Sequence, residues 1–177
     1  MGNGVFLTSK SRIEQCNEDG KWFLVDNELF MDNDGSIYLA PRYYKTDNYT
    51  IPSCLAWIAG DKAKFDVRPS HQHDVNCSYH KKIKVNLTLA QLRKMNILKG
   101  HKDLAICENI PIQYLEILPC TKTEADNRFK RMMLATGCIS KFRANLLRTG
   151  VFFNLGWWLS KPKELKLEDL YKKDEVN

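Results

Sequence analysis

The spacing of apolar and polar residues changes character part-way along the chain. Up to about residue 51 the apolar runs are short: "KWFLV" from Lys21, "ELFM" from Glu28 and "SIYLA" from Ser36. Runs of this length, set among polar turn residues, predict strands. Asp32-Asn33-Asp34-Gly35 between the second and third is a hairpin signal. "APRYYKTDNYTIP" then reads as an extended loop or edge strand bounded by Pro41 and Pro52. Beyond it the spacing turns helical. "PSCLAWIAG" predicts a short helix opening at Pro52 and Ser53 and closing at Gly60. Ser70 is placed to cap a helix running through Tyr79 or Lys81. Thr88 is placed to cap "LTLAQLRKMNILKG", with Gly100 as its stop. "IPIQYLEIL" fits strand or helix alike. In "TKTEADNRFKRMMLATG" Thr121 and Glu124 have capping-box spacing and Gly137 ends the run. Ser140 opens the last strong segment, which stops near Pro162.

These elements predict the α+β class. A single domain over residues 1–162 has a small N-terminal antiparallel β region (1–51) and a mostly helical body (52–162), followed by a charged, loosely held tail over 163–177. There are no internal repeats and no low-complexity segments.

Composition narrows the picture. The chain has 177 residues, of which 44% are hydrophobic. That is enough for one domain with a core and argues against disorder. A net charge of +6 suits loose attraction to anionic surfaces. The basic residues are scattered, however, and no nucleic-acid recognition signature is present, so nucleic acid is not the expected partner. Cys16, Cys54, Cys77, Cys107, Cys120 and Cys138 include no C-x-x-C pair, and they read as reduced, mostly buried thiols. The start of the chain lacks the apolar run of a signal peptide, and no stretch approaches the ~20 apolar residues of a membrane span.

The chemistry concentrates in "PSHQHDVNCSYHKK", which holds His71, His73 and His80. On a helix, residues three and four apart share a face, so His73, Cys77 and His80 align. Asp74 lies about 100° round from His73, and His71 points largely away. The plain reading of His71, His80 and His101 is surface or satisfied core. A zinc site at His73, Cys77 and His80 is acceptable in ligand type, though it matches no standard zinc spacing. A third reading makes His73 a general base, which works best when a buried carboxylate holds its other nitrogen. Asp126 is the candidate, because Ala125 and Phe129 give its helix turn a packing face. The plainer role for Asp126 is a favourable charge at a helix N-terminus.

The order of these motifs resembles an uncharacterised domain family common in tailed-bacteriophage genomes. The family pattern is a strand leading to T-D-x-x-S/T-x-P, a helix with H-D, and a helix with A-D-x-x-F and a small-residue turn. Here those motifs are Thr46, Asp47, Thr50, Pro52, His73, Asp74, Ala125, Asp126, Phe129 and Gly137. The H-D and A-D helices are also similar to those of phospholipase A2, especially its small bacterial and fungal forms. That resemblance implies His73 as the base, Asp126 as the acid that orients it, and Asp74 as a calcium ligand, with Asp47 as a further oxygen donor. Cys77 stands where the phospholipases usually carry a tyrosine, and no glycine-rich calcium loop is present.

"GVFFNLGWWL" from Gly150 supplies either core or an interface with partners or lipid headgroups. Two functions follow. One is a virion-associated or accessory phage protein of tail or neck type, bound to other phage proteins, in the virion or the host cytoplasm. The other is a His–Asp hydrolase, with calcium as its cation, acting at an anionic membrane on phospholipid or another ester.

Overall fold

The computed structural model describes residues 3–15, 21–46, 66–100, 105–152 and 161–172, with the side chains of 151 and 152 left out. The fold is α+β. The strands are β1 (Val5–Phe6), β2 (Ile13–Gln15), β3 (Trp22–Leu24), β4 (Glu28–Met31), β5 (Ile37–Ala40), β6 (Lys45–Thr46), β7 (Lys81–Val85), β8 (Leu98–Lys99), β9 (Ile106–Cys107) and β10 (Leu115–Pro119). The helices are α1 (Arg68–Tyr79), α2 (Leu89–Lys94), α3 (Lys122–Ala135) and α4 (Lys141–Phe152), with short 3-10 turns at Ile112–Tyr114 and Leu167–Asp169.

The main sheet has the order β1-β4-β5-β7-β10, and all its neighbours pair antiparallel. Strands β7 and β10 both come from beyond residue 51, so the β layer is not confined to residues 1–51. "IPIQYLEIL" resolves into a 3-10 turn and then a strand, because its backbone pairs with β7 from Leu115↔Val85 to Pro119↔Lys81. The hairpin at Asp32–Gly35 forms as expected. Gly35 takes φ +82°, and Asp32 N–H donates to Ser36 O at 2.9 Å. Strand β6 edges a smaller sheet of order β2-β3-β6.

Helix ends follow local chemistry, with three differences from the sequence expectation. Helix α1 starts before Ser70, whose hydroxyl donates back to Val67 O at 2.6 Å inside the helix and so does not cap it. Helix α2 is closed at its start by a capping box between Thr88 and Gln91, but it ends at Lys94, well short of Gly100. Asn96 then takes φ +57° and the chain turns into β8. In α3 only half of the expected box forms. Thr121 Oγ1 accepts from Glu124 N–H at 3.2 Å. The Glu124 carboxylate goes instead to Lys82 and to Arg128 Nη2, the latter at 2.8 Å.

Two apolar clusters hold the layers together. One lines the sheet around Leu24, Leu29, Ile37, Leu39, Ile83 and Val75 of α1. The other joins Phe6 and Phe30 to Phe129, Met132, Met133 and Leu147 on α3 and α4. The segment from 163 to 172 is held more firmly than its charge suggests: Leu170 is buried, and Tyr171 Oη accepts from Ile110 N–H at 3.1 Å. The predicted helix over 52–60 and most of the aromatic run from Gly150 lie outside the described residues.

Candidate functional site

Helix α1 is polar yet largely buried. Pro69, Ser70, His71, Gln72, His73, Val75 and Asn76 are all enclosed, because the helix packs on β5 and β7 as well as on α3. A polar residue in such a place must find a partner or cost stability. Gln72 Nε2 donates to the backbone oxygens of Glu28 at 3.0 Å and Tyr38 at 3.4 Å. His71, two positions and more than half a turn from His73, faces the sheet.

His71 is fully buried, with its Nδ1 at 3.1 Å from Glu28 Oε1. Ser11 Oγ lies 3.4 Å from that same Nδ1. A nucleophile and an orienting acid must use opposite ring nitrogens to relay a proton. Ser11, His71 and Glu28 therefore do not form a hydrolytic triad. The plain reading of His71 as a core residue fits, with a charged partner that sequence alone did not supply.

His73 faces α3. Its Nε2 is 2.9 Å from Oδ1 of the fully buried Asp126. The histidine and the second-helix aspartate singled out in the sequence are thus side by side, and Phe129 packs against the ring at 4.8 Å between centroids. Lys122 was not expected in the group. Its Nζ donates to both carboxylate oxygens of Asp126 at 2.8 Å, and its side chain is only 4% exposed. Cys77, one turn along α1, places Sγ 3.6 Å from both nitrogens of His73. Equal distances set the sulfur against the ring as a whole, where imidazolium charge is shared, and not on one lone pair.

One of the sequence candidates stands apart from this group. Asp74 lies on the neighbouring edge of α1 and accepts from Thr46 Oγ1 at 2.9 Å. Asp47, the other proposed calcium ligand, lies outside the described residues, as do His101, Cys16 and Cys54. The zinc face does not form. His80 ends α1 in the left-handed region, φ 50° and ψ 32°, and leaves the line of His73 and Cys77. Among the described residues no group of three His, Cys, Asp or Glu side chains is arranged to hold a metal ion. Nor, among them, is any helix long and apolar enough to cross a membrane.

The charges in the group fix its protonation. Burial works against a charged His73. The Cys77 sulfur, the Asp126 carboxylate and Asp74 outweigh it, and the ring is pushed up from the ordinary 6.5 to about 10. Asp126 is held below its ordinary value: burial favours the neutral acid, but His73 and Lys122 overcome that. His71 is also raised, with Glu28 outweighing burial. Both histidines bind their protons more tightly in the folded chain. Their contribution to stability is fully present below about pH 6.5 and is lost as pH climbs through the folded value, about 10 for His73. The urea midpoint is therefore expected to fall between about pH 7 and pH 10, and to fall less in His73→Gln. Identical slopes for the two proteins would contradict the charged ring.

The fold and site thus define an α+β protein with a His–Asp–Lys group clamped between two helices. Comparison with protein-family models, with curated proteins and with solved structures finds no match for this chain.

Proposed function

We propose that this chain is a virion-associated or accessory protein of a tailed bacteriophage, of tail or neck type, acting by binding other phage proteins and not by turnover at His73. The phage assignment rests on the ordered motifs Thr46, His73-Asp74, Ala125-Asp126-Phe129 and Gly137. The non-catalytic reading is carried by one observation: Lys122 occupies both oxygens of Asp126 at 2.8 Å in a buried site. A catalytic dyad needs a neutral imidazole to take a proton from water. Here the neighbouring Cys77, Asp126 and Asp74 favour the protonated ring, and the carboxylate is shared with a lysine. The group ties α1 to α3 and so holds the shape of the surface around them.

The hydrolase reading keeps one supporting observation. Asp126 takes Nε2, which leaves Nδ1 as the nitrogen that could address water. Vesicles containing anionic phospholipid, incubated with the protein and calcium and then with a chelator, separate the two readings. On the binding reading no fatty acid is released. His73→Ala then lowers stability by about 1–3 kcal/mol, because it leaves a buried carboxylate short of a partner, and assembly with virion proteins weakens with it. Release that requires both calcium and His73, with an unchanged melting temperature in His73→Ala, would establish the hydrolase instead.

A further inference from the structure

We propose that Cys77 is a nucleophilic thiol that exchanges with small disulfides, which makes it a site of reversible modification on α1. This goes beyond the binding role and needs no turnover. Sulfur attacks as the thiolate, and a cationic neighbour stabilises the charge on it. Cys77 has such a neighbour in the His73 ring, 3.6 Å away at both nitrogens. Asp126 at 2.9 Å and the Phe129 ring at 4.8 Å hold that imidazole in place. Cys77 is also accessible: it is a free thiol of intermediate exposure.

The exchange balances without a further reagent. The Cys77 sulfur attacks one sulfur of the disulfide and a new S–S bond forms. The original S–S bond breaks, and the departing thiolate takes the proton that Cys77 gives up.

The other described thiols serve as internal standards. Cys107 and Cys120 are buried, and burial pushes them up to about 12 and about 11, so both should be inert in the folded chain. Cys138, at the turn between α3 and α4, is exposed. If exposure alone governed reactivity, Cys138 would react before Cys77.

The test treats the folded protein briefly with dithiodipyridine, a neutral aromatic disulfide. The reaction is quenched in acid, and each cysteine is read by peptide mass mapping. Cys77 is expected to be labelled at least about tenfold faster than Cys138. In His73→Gln that advantage should vanish while the Cys138 rate is unchanged. Equal or faster labelling of Cys138 in the unmodified protein would overturn the proposal, and this comparison decides the matter even if His73→Gln fails to fold. Retention of the Cys77 advantage in a folded His73→Gln would also overturn it, by removing the imidazole from the explanation.

Discussion

Asp126→Ala is expected to destabilise the fold by about 3–5 kcal/mol, the cost of removing one partner from a buried ion pair. The carboxylate is fully buried and answers two cations at once, His73 at 2.9 Å and Lys122 at 2.8 Å. Its loss leaves an imidazolium and an ammonium facing each other out of water. Each must then shed its proton or open the α1–α3 contact to reach solvent. Lys122→Met alone should cost less, because Asp126 keeps His73. The double variant Asp126→Ala, Lys122→Met should recover part of the loss, since one stranded charge is gone. Urea unfolding of the three variants measures this. A midpoint for Asp126→Ala equal to that of the parent would mean that the site is wet and the clamp is not a clamp.

Phe30→Ala should be of similar size for a different reason. Phe30 is fully buried on β4, with its ring 5.1 Å from that of Phe6, and it belongs to the cluster that joins the sheet to α3 and α4. Truncation removes a large apolar group and leaves a cavity that rigid neighbours fill only in part. The expected cost is about 3–5 kcal/mol. In a chain of this size that corresponds to a fall in melting temperature of roughly 6–20 °C. Gly4 shows how tightly this corner is packed: a Cβ there would lie 2.5 Å from the Phe30 ring and 2.6 Å from Met31 O. A thermal scan showing a drop of only a degree or two would mean that the cluster collapses freely around the gap.

The His73–Asp126 contact was legible because it rests on helix phase. Ala125 and Phe129 mark the packing face of α3, and an acid among them calls for a partner. Lys122 was overlooked although its signal was present, a lysine four residues before that aspartate. A lysine in a first helical turn normally reads as solvated, and only the tertiary packing of α1 on α3 encloses it. Glu28 carried no local signal at all. It sits in the apolar run "ELFM" as if at a strand edge, and its pairing with His71 spans 43 residues. His80 was placed on the helix face because period alone cannot show where a helix stops, and it is His80 itself that turns the chain out of α1 into β7. The β layer was under-counted for a related reason. The "KIKV" and "LEIL" segments alternate too briefly to be told from helix until they pair with each other across 30 residues.

Burial of α1 on two sides through polar contacts constrains how its sequence can drift. An apolar interior tolerates exchange among leucine, isoleucine and methionine at modest cost. A buried bond between an imidazole and a carboxylate offers no such near-equivalents, since changing either member alone strands the other. Replacing both together removes the charge and the need for it. Divergence along this helix should therefore proceed by linked exchanges, position 71 with 28 and position 73 with 126 and 122 together, while the solvent-facing surface of the chain varies residue by residue.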